Sequence, residues 1–168
     1  YVGDDCDITI IAGCGIHNES HQASEHDGIH SFHLGKNSHV KYVEKHYGEG
    51  AGTGERILNP VTNVYMDENS TCEMELIQLR GVSSTVRDTN AEVGAGAKLV
   101  LTEKLLTHDK QTATSNMKVE LKGDDSSVQV ISRSVAQDDS VQVFNPLVIG
   151  EAACRGHVES DAIIMGNA

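Results

Sequence analysis

Seven of the nine histidines fall in one stretch: His17, His21, His26, His30, His33, His39 and His46. Glu19, Glu25, Asp27 and Glu44 lie among them. Imidazole and carboxylate together bind zinc, iron and other transition metals, which makes His30, His33 and His46 candidate metal ligands. No spacing matches a helical ligand pair such as H-E-x-x-H. The competing reading, a polar loop plus histidines that satisfy backbone groups inside the fold, is therefore the stronger one for this stretch. On a strand, residues two or four apart share a face, so the elements that carry these side chains decide which of them meet.

A second group closes the chain: Cys154, Arg155, Gly156, His157, Glu159, Ser160 and Asp161. If His157 to Asp161 is a strand, His157, Glu159 and Asp161 share one face, and Val158 and Ser160 the other. Thiol, imidazole and carboxylates this close can hold iron or pass sulfur from a thiolate. Cys154 can equally be a small buried hydrophobe in a corner, and both readings stand. Other chemistries find less support. No G-x-S-x-G elbow is present, as a Ser–His–Asp hydrolase on an α/β sheet would need. The glycine-rich run Gly48 to Gly54 lacks the Lys-Ser/Thr ending of a phosphate-binding loop, no helix follows it, and it reads as a flexible loop. Carboxylate pairs for polysaccharide cleavage stay open, but the aromatics that stack on sugars are almost missing.

The chain of 168 residues suffices for one domain. Its core has to be built from Val, Ile, Leu, Ala and Met, because only 4 Tyr and 2 Phe are present and Trp is absent. Twenty-five acids stand against 13 bases, for a net charge of −12. That balance argues against nucleic acid, whose binding needs a basic surface. It fits solubility, or attraction for basic partners and cations. Cys6, Cys14, Cys72 and Cys154 are widely spread, with no C-x-x-C pair. Neither a disulfide framework nor a zinc knuckle is indicated, and free thiols suit a reducing cytoplasm. No signal peptide or long apolar run appears, so no membrane span is expected.

An internal repeat supplies the elements. An apolar residue, a tight polar turn and a small residue recur, with alternating apolar residues on both sides. Examples are Leu34-Gly35-Lys36-Asn37-Ser38, Met66-Asp67-Glu68-Asn69-Ser70 and Leu121-Lys122-Gly123-Asp124-Asp125-Ser126. The turns start at positions 3, 35, 67, 94, 123 and 150, in steps of 32, 32, 27, 29 and 27. Gly, Asn and Asp tolerate the positive φ that sharp turns need. Period-2 alternation means strand, as in Val119, Leu121, Val128 and Val130. A repeat near 30 residues with short strands predicts an all-β solenoid of coils stacked about 4.8 Å apart. A β-sandwich is the alternative, though its turns come closer together. Glu103 to His108 has some helical propensity but continues a strand pattern. Asn59-Pro60 and Asn145-Pro146 read as turn or sheet-edge signals.

Several runs, in this order, resemble the SufB/SufD family of iron–sulfur cluster assembly. They are Gly28-Ile29-His30, Gly35-Lys36-Asn37, Tyr42 to Gly48, Ser132 to Ala136, and Cys154-Arg155-Gly156-His157-Val158-Glu159-Ser160-Asp161-Ala162-Ile163-Ile164. The likeness covers essentially the whole chain and is nearest to the short SufB-like members. It implies a right-handed parallel β-helix and a scaffold with no catalysis of its own. The implied partners are a SufC-type ABC ATPase, a SufB/SufD paralogue or a second copy as dimer, and apoprotein acceptors. The implied cofactor is a transient iron–sulfur cluster in the full complex, with none stably held by this chain. Many SufB members have cysteine where this sequence has Ser160, and serine cannot carry a persulfide. Cys154, His157, Glu159 and Ser160 are thus the candidates for handling cluster or sulfur. Starting at Tyr1 and stopping inside a repeat, residues 1–168 read as a single β-helix core domain without the family's N-terminal and C-terminal helical parts. The runner-up is a His-rich metal-binding β-helix that stores or senses metal.

Overall fold

The computed structural model describes every residue from Tyr1 to Ala168. Its elements are all strands. The first seven are β1 (Asp7–His17), β2 (Ser24–His26), β3 (Ile29–Leu34), β4 (His39–Glu49), β5 (Arg56–Leu58), β6 (Val61–Met66) and β7 (Thr71–Arg80). The rest are β8 (Ser84–Val93), β9 (Lys98–Thr107), β10 (Thr112–Leu121), β11 (Ser127–Asp138), β12 (Val141–Gly150) and β13 (Arg155–Gly166). Every pairing is parallel. One sheet of six strands runs β1-β4-β7-β9-β11-β13. The other has seven, in the order β12-β10-β8-β5-β2, with β6 and β3 continuing the path from β8. Each coil crosses from one sheet to the other and back, which makes a parallel β-helix of about six turns, as the repeat predicts. The Glu103 to Thr107 segment is strand, not helix.

The repeated turns stack into one corner. Asp5, Asn37, Asn69, Gly96 and Asp125 each hold the third turn position at φ between 56° and 66°. A Cβ there crowds the following carbonyl, and Asp, Asn and Gly are the residues that bear this best. Backbone bonds climb from coil to coil through the corner: Asn37 N donates to Glu68 O at 3.0 Å, Asn69 N to Ala95 O at 2.8 Å, and Asp125 N to Ala153 O at 2.7 Å. The small residue after each turn is enclosed, as Ser38, Ser70, Ala97 and Ser126 show. Three of them use the hydroxyl to close the turn, Ser38 on Gly35 O at 2.7 Å, Ser70 on Asp67 O at 2.7 Å and Ser126 on Gly123 O at 2.6 Å.

In-register stacking gathers inward side chains into rows, and these rows divide the interior in two. Next to the corner it is apolar. Leu34, Met66, Val93 and Leu121 face Val40, Cys72, Leu99 and Val128, and beside them Val64, Ala91 and Val119 face Tyr42, Met74, Leu101 and Val130. Farther from the corner the inward positions turn polar, with Glu44, His46, Gln78, Arg87, Glu103, Ser115 and Ser132 all buried. Thiol Cys72 belongs to the apolar half, where burial and the nearby Glu73 charge push it up to about 12.

The glycine-rich run is a packed stack rather than the loose loop expected from its composition. Gly52 N donates to Asn18 O at 3.0 Å and Gly54 N to Ser20 O at 2.9 Å, across to the preceding coil. A Cβ on Gly54 would sit 1.9 Å from Gln22 O. Arg56 ties the run down from the other side, donating to the carbonyls of Glu49 at 2.8 Å and Gly50 at 2.5 Å. Pro146 lies within β12, which pairs on one side only, the edge position where a missing N–H costs nothing.

The corner geometry makes a prediction at Asn69, whose φ is 59°. Asn69→Val is expected to lower the unfolding free energy by about 1–2 kcal/mol in urea titration, while Asn69→Gly leaves it nearly unchanged. Equal losses for both would mean that the Asn69 side chain, not its backbone angle, holds the corner.

Candidate functional site

The polar half of the interior is organised by strands from both sheets. Alternation on β4 turns Tyr42, Glu44 and His46 inward, and β9 does the same for Leu101, Glu103 and Leu105. From the opposite sheet, β3 contributes His30 and β8 contributes Arg87. Arg87 donates from Nη2 to His46 Nδ1 at 2.8 Å and from Nη1 to Glu103 Oε2 at 3.2 Å. Glu103 also accepts from Ser115 at 2.5 Å and Ser132 at 3.3 Å. Because His46 Nδ1 accepts from Arg87, the proton of the neutral ring sits on Nε2. That nitrogen lies 3.1 Å from Glu44 Oε1, off the direction a hydrogen bond prefers. Burial lowers the His46 pKa and outweighs the Glu44 carboxylate, with the Arg87 charge adding to the drop.

Glu44 is the meeting point of a second set. Its Oε1 stands 3.1 Å from His30 Nδ1 and 3.7 Å from the thiol of Cys14 on β1. Tyr42 Oη lies 3.0 Å from His30 Nδ1. Burial alone would raise the Glu44 carboxyl; His46, His30 and Arg87 outweigh it and hold the group below its ordinary range. Burial and the Glu44 charge raise the thiol of Cys14. Cys14, His30 and Glu44 thus offer sulfur, nitrogen and oxygen donors within 4.8 Å of one another.

The three histidine candidates are separated. His30 and His46 both point inward and converge on Glu44. His33 does not join them: it stacks between Tyr1 at 4.5 Å and Tyr65 at 4.7 Å, in a ladder away from Glu44. Of the other histidines, His17 pairs with Glu19 at 2.9 Å and His21 with Thr53 at 2.6 Å, both exposed.

The closing strand alternates as expected. His157, Glu159 and Asp161 lie on its outer face, where Arg133 of β11 reaches Glu159 at 2.5 Å and Asp161 at 3.0 Å. The Arg133 hydrogen bond, then that of His157 at 3.4 Å, holds the Glu159 carboxyl below its ordinary range. Ser160 points the other way. Its register continues the inward row Ala12, Glu44, Leu76, Glu103 and Ser132. Cys154 packs against the apolar cluster, and a Cβ on Gly150 would touch its sulfur at 2.8 Å. Cys154, His157, Glu159 and Ser160 therefore occupy one coil but three surroundings: corner, outer face and inward row. A third constellation, His108, Asp109 and Asp138, sits exposed at the opposite corner.

Sequence reasoning missed Cys14, Arg87 and Glu103. Cys14 precedes His46 by one coil step of 32, so the repeat spacing places it directly over that residue. Arg87 and Glu103 announce themselves as charges standing in the inward phase of otherwise apolar or hydroxyl positions, Thr85 to Val93 and Leu99 to Leu105.

The fold and its side chains define a parallel β-solenoid with thiol, imidazole and carboxylate groups on its inward rows and last coil. The family model for the SUF system FeS cluster assembly SufBD core domain matches residues 2–168, and the chain belongs to that family. No curated protein and no solved structure matches it. Membership places the protein in SUF iron–sulfur cluster assembly. No helix is long and apolar enough to cross a membrane.

Proposed function

We propose that this protein is a non-catalytic scaffold subunit of the SUF machinery, working in the cytoplasm with a SufC-type ABC ATPase that hydrolyses ATP on its behalf. The observation that carries this reading is the match to the SufBD core across residues 2–168, on a chain whose strands stack as a parallel β-helix. The iron–sulfur cluster is cargo, built on the assembled complex and passed to apoproteins.

The subunit pairs, with a SufB/SufD paralogue or a second copy, through the coil formed by β12 and β13. Both strands pair on one side only, and Val141, Val143, Leu147, Ile163 and Ile164 are exposed there. Unpaired strand edges with apolar side chains favour association with another chain. Pairing at this coil brings His157, Glu159 and Cys154 to the interface. Because Ser160 offers a hydroxyl, a weaker iron ligand than thiolate, this chain alone holds no stable cluster. Its imidazole and carboxylates assist a thiolate supplied by the partner.

Co-expressed with a SufC-type ATPase, the tagged chain is expected to retain the ATPase through gel filtration and to sediment as a dimer. A monomer that leaves the ATPase unbound contradicts the reading. In anaerobic reconstitution with iron and sulfide, the unmodified chain is expected to show no stable cluster absorption, and Ser160→Cys to gain one. A stable cluster in the unmodified chain, unaltered by Ser160→Cys, places the ligands elsewhere.

A further inference from the structure

The interior polar band is short of positive charge. Two carboxylates, Glu44 and Glu103, are buried with a single guanidinium, Arg87. Arg87 is committed to Glu103 and to the neutral His46. Glu44 is left with its Oε2 enclosed and without any hydrogen-bond partner, on a side chain only 1% exposed. An enclosed carboxylate oxygen with no donor is unfavourable. Beside this carboxylate stand a thiol and an imidazole, from β1 and β3.

We propose that Cys14, His30 and Glu44 bind a divalent transition-metal ion of the zinc or iron(II) class. Metal–ligand bonds of about 2.0–2.3 Å in a tetrahedron put neighbouring ligand atoms roughly 3.3–3.7 Å apart. Glu44 Oε1 lies 3.7 Å from the Cys14 thiol and 3.1 Å from His30 Nδ1, close to those edges before any adjustment. The donor set of one sulfur, one nitrogen and one carboxylate oxygen suits borderline metals, and magnesium or calcium, which take oxygen ligands, poorly. Binding replaces the thiol proton with the metal, and the proton leaves to solvent. His46 is not a ligand: its Nδ1 is engaged by Arg87, and the proton of the neutral ring occupies Nε2, 3.1 Å from Glu44 Oε1. Three protein ligands leave the fourth position for water or an exchangeable ligand, and the His30 side chain, 29% exposed, opens the site to solvent. The site is thus built for a metal that enters and leaves.

The test uses the full chain, stripped with chelator under reducing, anaerobic conditions, and titrated with cobalt(II). One equivalent is expected to bind and to give a thiolate-to-cobalt charge-transfer band that zinc(II) abolishes by displacement. Cys14→Ser should remove the band, Glu44→Gln should weaken binding at least tenfold, and Cys154→Ser and His33→Ala should change neither. Circular dichroism checks that each variant stays folded. On the unmodified chain, zinc is expected to protect Cys14 from alkylation, mapped by mass spectrometry, while leaving Cys6 reactive, so no variant has to fold for this arm. A band that survives Cys14→Ser, or Cys14 alkylated at the same rate with and without zinc, overturns the proposal. The measurement needs no ATPase or partner, so it succeeds or fails independently of the assembly role.

Discussion

Arg87 is the constraint on which the polar half of this solenoid is built. A guanidinium cannot shed its proton, so a buried one must be answered by acceptors or it opposes folding. Here the answers come from the facing sheet: His46 on one side and Glu103 on the other, at 2.8 and 3.2 Å. The pairing joins β8 to β4 and β9, so a single side chain spans the interior and connects coils that do not touch along the chain. Ser115 and Ser132 follow from it, since Glu103 has lone pairs beyond those Arg87 fills. His46 follows as well, its tautomer set by the N–H it receives.

Parallel stacking is what lets one charge have this reach. Each corner returns the chain at the same phase, because the left-handed position recurs at Asp5, Asn37, Asn69, Gly96 and Asp125. Inward residues then fall into rows that run the length of the molecule. In the row through Ala12, Glu44, Leu76, Glu103, Ser132 and Ser160, Leu76 stands between the two carboxylates, which therefore do not lie side by side. The apolar rows nearer the corner supply the burial that makes the coils adhere. The polar rows carry the buried carboxylates, imidazole and guanidinium of the interior.

Much of this was legible in the sequence. The corner motif carried the repeat, the repeat carried the parallel β-helix, and the alternation of His157, Glu159 and Asp161 against Ser160 came out on the faces expected. What escaped was contact between coils. His30 and His46 were visible as candidates, but Glu44 meets His30 only across the interior from β3 to β4, and Cys14 comes over His46 only when the step of 32 is applied to chemistry as well as to turns. His33 shares their stretch yet faces away, since one residue of shift on a strand reverses the side. The glycine run misled because composition cannot distinguish glycine used for freedom from glycine used for close approach, and Gly52 and Gly54 are the second kind. Cys154 and His157 are near in sequence and differ in surroundings, because the chain passes from corner to strand between them.

If Arg87 couples the interior, its contribution must depend on Glu103. A double-mutant cycle of Arg87→Met and Glu103→Leu, read by denaturant unfolding, measures this directly. Each single variant leaves a buried charge unmatched and is expected to cost about 3–5 kcal/mol. The double variant is expected to cost far less than their sum, with a coupling above about 2 kcal/mol. Losses that add to within about 0.5 kcal/mol would show that the two charges act independently, and that the interior is not organised around Arg87.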